Sequence, residues 1–396
     1  MLLLIVGDDM FKKAIKAYKD MDKTLFFTSL ILIIFGTLNI VTASSREAVL
    51  NTDKSMFYYF YKHCVILILS LFAFLFVIKV PTKKYKKYIL LLYAIVVAGN
   101  LFLVLRGVST RGAANWIDFK LFKLQPSEFS KPVLIIAMAI LLDNYDSFFA
   151  NPNVKHYSAI RKVVFLMLFI PILVFLQKDL GTAAILFGTF LVLYIFSRIP
   201  YKEKLYVMLV AIVVIIAVLI VRLSITGYIL SDKQTSRINN FFNPCSKYEK
   251  TGYQVCNAFI AINNGGALGV GIGRSTQKYS YIPEPHTDMV FSIIAEENGV
   301  IKCAFIFIAY LIILYRILKL SMNTKTIRNK NICLGVATYI FLHILINLGG
   351  LFGVIPLTGV PLPFLSYGGS FMISLVASLA VVQRIHIEMK NEKIKV

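Results

Sequence analysis

Charged side chains are scarce in this sequence, and acidic side chains are the scarcest of them. Only 16% of the 396 residues are Asp, Glu, Lys or Arg, with 20 acidic residues against 42 basic ones. Soluble globular domains carry roughly 25% charged residues. Together with a hydrophobic fraction of 58%, this scarcity excludes an ordinary soluble domain.

Metal-binding and domain-linking features are also few. The five cysteines lack metal-ligand spacing and the five histidines form no cluster, so we predict no metal centre built from these residues. Cys245 and Cys256 share one predicted outside loop, where oxidation is permitted, but their spacing alone leaves a disulfide open. No repeat, low-complexity run or Ser/Pro-rich linker divides the chain, so we treat residues 1–396 as a single membrane domain.

Long apolar runs take the place of these missing features. A helix that crosses the hydrocarbon needs ~20 mostly apolar residues, and lipid forces backbone groups to pair within the segment. We therefore predict an all-α polytopic membrane protein with about ten transmembrane helices. The predicted spans are 25–44, 60–79, 88–105, 126–142, 163–176, 183–197, 205–222, 289–315, 332–351 and 369–386.

The net charge of +22 marks topology rather than a nucleic-acid surface. Lys and Arg crowd alternate connections between the spans, and the positive-inside rule assigns those connections and both termini to the cytoplasm. A long outside loop then covers about 223–288, between the seventh and eighth spans. Its apolar stretches Ala258–Ile262 and Ala267–Ile272 predict re-entrant or surface-lying helices, and long loops of this kind are usually functional or disordered.

The outside loops carry the chemistry that the rest of the chain lacks. The outer face offers no ATP or nucleotide sugar, so an enzyme there needs a substrate that arrives activated, such as a lipid pyrophosphate sugar. Outside basic residues, which include Arg111, Arg237 and Lys278, fit a pyrophosphate because Arg clamps phosphate oxygens and Lys adds a point charge. Taken singly, each is better explained as a solvated loop charge.

Asp288 is the first candidate for catalysis, because it lies where the long loop meets an apolar helix, close to Glu284 and His286. A carboxylate there could accept the proton of an attacking sugar hydroxyl, a contribution of ~10²–10⁴-fold. Local sequence alone favours a helix N-cap instead, since Asp is a common capping residue. Glu296 and Glu297, further along the same helix, face either a cavity or the water interface.

Two further motifs have structural explanations. Gln125-Pro126-Ser127-Glu128 resembles a capping box with Pro at the first helical position. Lys131, inside the fourth span, needs a partner, and Glu128 at i−3 is available for a cavity-lining pair. The glycine-rich run 265–273 is not a nucleotide loop, since no βαβ unit surrounds it, and tight backbone packing of a re-entrant segment explains it better.

In their order and on their shared side, the loop motifs resemble those of the SEDS family, the shape, elongation, division and sporulation proteins that include RodA and FtsW. The matching stretches are Arg111–Trp116, Gln125–Lys131, Gln177–Thr182, Gly252–Gln254, Gly265–Gly273, Pro283–Gly299 and Pro356–Ser370, and Thr276–Tyr281 favours the FtsW-like branch. The resemblance implies ten spans in a bacterial cytoplasmic (inner) membrane and inverting polymerisation of lipid II during peptidoglycan biosynthesis. It also implies a class B penicillin-binding protein, a transpeptidase, as partner.

Carried over by residue, the family's essential loop aspartate falls on Asp288, which reverses the preference for a cap and makes Asp288 the predicted general base. The family pattern Gln-Pro-Asp-Leu-Gly-Thr has proline where this chain has Lys178, which puts the local backbone in doubt but not the Asp179 side chain. The loop sequence itself adds Trp116, Lys278 and His286 to the candidates for substrate binding. The resemblance implies Arg111, Glu128, Lys131, Asp179, Arg237, Gln254, Glu284, Ser366 and Tyr367.

Two alternatives stay open at the level of sequence. A transporter (flippase) of the lipid precursor predicts charges through the depth of the bundle and discontinuous helices at the midplane. A non-catalytic scaffold that recruits the transpeptidase tolerates loss of the Asp288 carboxylate. The only cofactor expected is a divalent cation, magnesium or manganese, at the leaving pyrophosphate.

Overall fold

The computed structural model describes residues 18–52, 55–106, 115–119, 123–149, 157–228, 235, 241, 245, 252–279 and 282–394. Regular structure within them is helical except for a two-stranded antiparallel pair, β1 (Ile117–Asp118) and β2 (Lys123–Leu124). The helices are α1 (Lys23–Thr52), α2 (Tyr58–Val77), α3 (Tyr85–Arg106), α4 (Pro126–Phe149), α5 (Tyr157–Leu176), α6 (Leu180–Ile195), α7 (Tyr201–Thr226), α8 (Gly252–Gly265), α9 (Val290–Asn323), α10 (Ile327–Leu351) and α11 (Gly369–Ile394), with a 3₁₀ turn at Thr82–Lys84.

The all-α polytopic fold is confirmed. Each predicted span coincides with a helix, and only α8 lies outside the predicted spans. Shorter apolar stretches lie in α5 and α6, and the number of helices that cross the membrane stays a prediction. Within the part of the chain that the structure describes, seven stretches are long and apolar enough to cross: Lys23–Val49, Tyr58–Val77, Thr82–Leu105, Tyr201–Thr226, Val290–Asn323, Ile327–Leu351 and Gly369–Glu392.

Helices α4 and α10 form the centre of the bundle. Helix α4 packs against α3, α5, α6, α10 and α11, and α10 packs also against α6 and α9. The two central helices approach closely at Gly335, where an added Cβ would lie 2.6 Å from Ile135 Cγ2. Small residues permit such contacts in lipid, where helix association depends on close packing. Helix α7 packs mainly against α5 and lies at the periphery.

The two ends of the described chain meet at one end of the bundle. Asp22, just before α1, accepts a hydrogen bond of 2.6 Å from Arg316 Nη2. Asp22 and Gln383 of α11 also exchange two hydrogen bonds, at 2.9 and 3.1 Å. This contact agrees with the prediction that both termini lie on one side of the membrane.

A tight joint connects the glycine-rich run to α9, as predicted. Helix α9 is interrupted at Gly299, whose φ of 78° and ψ of 167° are not helical. Two N–H groups of the run donate to the last carbonyls before the break, and two N–H groups after the break donate back, all at 2.9–3.2 Å. The joint therefore satisfies the backbone groups that the break frees. The bonds join Val270 to Glu296, Gly271 to Glu297, Val300 to Gly266 and Ile301 to Ala267.

The long outside loop is only partly helical. Ala258–Ile262 lies within α8, as predicted. The helix predicted over Ala267–Ile272 is wrong, because this stretch forms turns with Gly269 and Gly271 at φ of 85° and 104°. Positive φ of this kind is incompatible with a right-handed helix. Cys245 and Cys256 form a disulfide, which settles the pairing that spacing left open.

Candidate active site

Asp288 lies in the turn just before α9 and is partly buried. The capping alternative is wrong for this residue, because the N-cap of α9 is Met289 and no side chain caps the helix. Thr287 Oγ1 lies 3.0 Å from Asp288 Oδ1 and 2.8 Å from the Glu284 carbonyl oxygen. A hydroxyl has one proton, so Thr287 can donate to only one of these two oxygens at a time, and a carboxylate has about four acceptor sites, so Asp288 keeps acceptor capacity in either case.

The backbone on both sides of this carboxylate is fixed by α10 and the loop 352–368. Asn347 Nδ2 donates to the carbonyl oxygens of Asp288 and Val360, each at 2.7 Å. One amide nitrogen carries two protons, so both bonds form together. The Tyr367 N–H donates to the His286 carbonyl at 2.9 Å. The turn that carries Asp288 is therefore tied to the last outside loop.

Tyr59, His63, His286 and Tyr367 form an aromatic cluster beside this turn. The His286 ring centroid lies 4.2 Å from that of Tyr59 and 5.3 Å from that of Tyr367. His286 Nδ1 is 3.3 Å from Glu47 Oε2, an ionic contact that does not meet hydrogen-bond geometry. Because Glu47 belongs to α1, this contact ties His286 to a third part of the bundle.

Tyr367 stays neutral at ordinary pH. Burial, with a smaller contribution from Tyr59 and Tyr58, raises the pKa of its hydroxyl to about 12. His63 lies 5.8 Å from the Tyr367 ring, and neither of its ring nitrogens has a hydrogen-bond partner among the described residues. The Tyr367 ring thus adds no charge beside the turn before α9.

The predicted pairing of Glu128 with Lys131 is confirmed, and the pair is larger than the sequence indicated. Lys131 Nζ lies 2.8 Å from both carboxylate oxygens, and each side chain is only 2% exposed. The same Nζ lies 2.9 Å from His343 Nε2, and His343 Nδ1 lies 3.1 Å from the Pro361 carbonyl. An ammonium only donates, so Nε2 accepts and Nδ1 carries the proton. His343, which looked isolated in sequence, therefore connects the ion pair to the loop 352–368.

Asp179 is the N-cap of α6. Its Oδ1 accepts from the Thr182 N–H at 3.1 Å. Its Oδ2 accepts from Asn115 Nδ2 at 2.9 Å and from Gln125 Nε2 at 3.3 Å. These donors come from three separate segments, so Asp179 joins the β1 region, the start of α4 and the start of α6. Its contact with substrate stays a prediction.

The doubt about the backbone at Lys178 was justified. Lys178 has a φ of 67°, in the left-handed region that non-glycine residues rarely occupy. Proline is locked near a φ of about −65°. The backbone at this position therefore cannot be the one that the proline of the family pattern would adopt.

Lys278 belongs to a different cluster, at the joint with α9. Its Nζ donates to Glu297 Oε1 at 2.8 Å and to the Gly273 carbonyl at 2.7 Å. Glu296 accepts from the Thr276 N–H at 3.2 Å and from the Thr276 hydroxyl at 2.9 Å. Both glutamates are 0% exposed, so the water-interface alternative for them is wrong. Lys278 and these acids hold the glycine-rich run against α9.

The remaining candidates are dispersed around the outside loops. Ser366 is buried, and its Oγ accepts from the Leu362 N–H at 2.8 Å. Glu284 has a positive φ of 50° and is partly buried. Trp116 and Gln254 are also partly buried, whereas Arg111 and Arg237 lie outside the described residues.

The sequence did not identify three residues that make contacts in this site: Glu47, His343 and Asn347. His343 and Asn347 lie four residues apart on one face of an apolar span. Polar residues at membrane depth usually face a partner or cavity, so this spacing was an available signal. Glu47 gave none, because α1 extends to Thr52 and carries it beyond the predicted span.

The fold and these loops define a multi-pass helical membrane protein with acidic and aromatic side chains gathered beside the start of α9. The chain belongs to the FTSW_RODA_SPOVE family, described as cell cycle protein, which matches residues 22–391. This confirms the SEDS resemblance, and the chain is a multi-pass protein of the bacterial inner membrane.

Named relatives agree with the family. The probable peptidoglycan glycosyltransferase FtsW of Wigglesworthia glossinidia brevipalpis is 30% identical, over 96% of this chain and 97% of the relative, which supports the FtsW-like branch. A solved peptidoglycan synthase complex, described as coordinating polymerization and crosslinking, shares the fold at 23% identity with a TM-score of 0.70, over 93% and 98% of the chains. The rod shape determining protein RodA of Thermus thermophilus does so at 21% identity with a TM-score of 0.65, over 92% and 96%.

Proposed function

We propose that this peptidoglycan glycosyltransferase polymerises lipid II into glycan strands at the outer face of the cytoplasmic membrane, with Asp288 as general base. The observation that carries the assignment is the set of contacts around the Asp288 carboxylate. It caps no helix, its nearest donor Thr287 has a shorter contact elsewhere, and its backbone is held by Asn347. A base of this kind is positioned before substrate arrives, which lowers the entropic cost of reaction.

The proposed reaction is an inverting displacement. Asp288 takes the proton of an acceptor sugar hydroxyl while that oxygen bonds to the anomeric carbon of the donor. The bond from the anomeric carbon to the phosphate oxygen breaks, and the lipid pyrophosphate leaves with the electron pair. Arg111 and Arg237 stay our candidates for the leaving group, since Lys278 is engaged by Glu297.

We propose that a divalent cation, where required, binds at the substrate pyrophosphate. The described residues bring no three His, Cys, Asp or Glu side chains together as a metal site. Magnesium is commonly held by one or two carboxylates plus substrate phosphates. We propose Asp288 as a carboxylate of this site that would contribute.

The transporter alternative predicted discontinuous helices, and α9 is interrupted at Gly299. The groups freed by the break are, however, bonded to the run 266–271, so they do not line a transport path. A polymerase also accounts for the relative that coordinates polymerization and crosslinking. We propose that this chain likewise works with a class B penicillin-binding protein, which cross-links the strands.

The test is polymerisation of purified lipid II by this protein with its co-purified transpeptidase. Asp288→Asn should lower the rate ~10²–10⁴-fold, the usual contribution of a general base. Asp118→Asn is a matched control, because Asp118 is an exposed acid of β1 whose contact with Lys123 is long, at 3.7 Å, and it should polymerise like wild type. Both variants should retain the partner and the thermal unfolding temperature.

Two results would contradict the proposal. Near-normal strands from Asp288→Asn would keep the enzyme but move the base to another residue. If the wild type makes no strands although the partner is verified in the sample, the transporter and scaffold alternatives are open again.

A further inference from the structure

We infer that Asn347 is a positioning residue for polymerisation, and that it acts by holding the backbone of Asp288; this rests on the proposed function. Its amide bonds both the Asp288 turn and the loop 352–368. Both bonds are 2.7 Å long, and Asn347 is only 2% exposed. It is therefore too buried to bind substrate itself.

The geometry explains how a buried amide can influence the reaction. A side-chain carboxylate follows the direction of its own Cα–Cβ bond, which the peptide plane on either side determines. The Asn347 bond fixes the plane that follows Asp288, and the bond from the Tyr367 N–H to the His286 carbonyl fixes the chain two residues earlier. Loss of the first bond frees rotation of that peptide plane and moves the carboxylate.

The second amide proton of Asn347 is donated to the Val360 carbonyl. This carbonyl belongs to the loop 352–368, which contacts several helices. The Pro361 carbonyl contacts His343, and the Pro363 carbonyl accepts from Tyr310 Oη at 2.6 Å. A Cβ at Gly36 of α1 would lie 2.4 Å from the Phe364 carbonyl. Asn347 thus connects the backbone of Asp288 to a loop that is itself held by the helices of the bundle.

The experiment compares Asn347→Leu with Asn39→Leu. Leucine keeps the branched shape and the four side-chain heavy atoms of asparagine, although it is larger, and it removes the amide donors. Asn39 is a matched control, because it is also buried and its Nδ2 donates at 2.7 Å, but to the Phe35 carbonyl of its own helix. The readouts are kcat and KM for lipid II, the thermal unfolding temperature, and amide hydrogen exchange of the peptide that covers 284–290.

We expect Asn347→Leu to lower kcat about 100-fold, the effect of a displacement of about 1 Å at a reacting group. KM should change less than threefold, and exchange at 284–290 should rise. Asn39→Leu should leave kcat and that exchange unchanged. Its unfolding temperature should fall about as much as that of Asn347→Leu, since each loses buried amide bonds.

The inference is overturned if Asn347→Leu keeps a wild-type kcat, or if kcat falls equally in both variants in step with their folded fraction. Asp288→Asn, measured in parallel, separates the two proposals. An inactive Asp288→Asn beside a fully active Asn347→Leu defeats only the role of Asn347. An active Asp288→Asn defeats the assignment of the base, and with it any action of Asn347 through that base.

Discussion

Glu128 and Lys131 show how much one residue depends on its partner inside this bundle. Each charge is removed from water, and each has the other as its ion-pair partner. Removing one member of such a pair leaves the other charge buried and uncompensated, whereas replacing both with apolar residues is often neutral. The pair therefore stabilises the fold only as a unit.

Glu128→Leu should lower the free energy of unfolding by about 3–5 kcal/mol, the usual cost of breaking a buried pair. The double variant Glu128→Leu with Lys131→Met should recover much of that loss. Thermal unfolding in detergent measures both. Asp20→Asn is the control, because its pair with Lys390 is partly exposed, at 45% for the lysine, and such pairs contribute little. Equal losses from the single and double variants would contradict this account.

At this scale the sequence predicted pairs that are local. The i, i+3 spacing of Glu128 and Lys131 was sufficient, because the helix itself brings them together. Asn347 and His343 were not predicted as partners of Asp288 and Lys131, since those contacts cross between helices. Nothing in a single sequence states which face of α10 meets which loop.

Among the elements, the turn between α5 and α6 has a specific backbone requirement. Lys178 occupies the left-handed region, and its N–H donates to the Phe175 carbonyl at 3.0 Å. Glycine adopts this conformation without the cost of about 1–2 kcal/mol that other residues bear. Proline can neither adopt it nor donate the hydrogen bond.

We therefore expect Lys178→Gly to leave the unfolding temperature unchanged or raise it, and Lys178→Pro to lower it. The effect of proline should be about 3 kcal/mol or more, as for proline at other incompatible positions. Polymerisation should follow the same order, because this turn places Asp179 at the start of α6. A stable Lys178→Pro protein would show that the turn can adopt the backbone of the family pattern.

Helices were predictable wherever apolar length was the signal. The backbone conformation of the glycine-rich run was not predictable from that signal. The stretch Ala267–Ile272 is apolar enough for a surface helix, but its glycines adopt positive φ and its N–H groups bond α9 instead. Apolar composition cannot separate these outcomes, because the deciding partner lies about 25 residues further along the chain.

For the whole molecule, the distribution of charge predicts which end faces which compartment. The ends of the described chain meet through Asp22 and Gln383, and the Asp288 turn lies at the other end of α9 from Arg316. Basic residues crowd the connections on the first side, which the positive-inside rule assigns to the cytoplasm. Hydropathy and basic charge were therefore enough to predict the helical architecture, though not the contacts around Asp288.

Single cysteine substitutions test this orientation. Asn263→Cys, exposed in α8, should react with a membrane-impermeant maleimide in intact spheroplasts, and Lys325→Cys, exposed between α9 and α10, should react only after lysis. The unsubstituted protein gives the background from its native cysteines, of which Cys303 and Cys333 are buried. Labelling of Lys325→Cys in intact spheroplasts would show that the orientation is opposite to the predicted one.

The interrupted helix α9 also constrains how the chain is assembled in the cell. Non-helical backbone is tolerated at membrane depth only where other protein covers it. The segment 290–323 therefore cannot become a finished rod when it first enters the lipid, because the groups exposed at Gly299 need residues 266–271. These residues are synthesised earlier, so the four bonds of the joint can all form only after residue 301 has been made. We therefore expect this joint to close after α9 has entered the membrane.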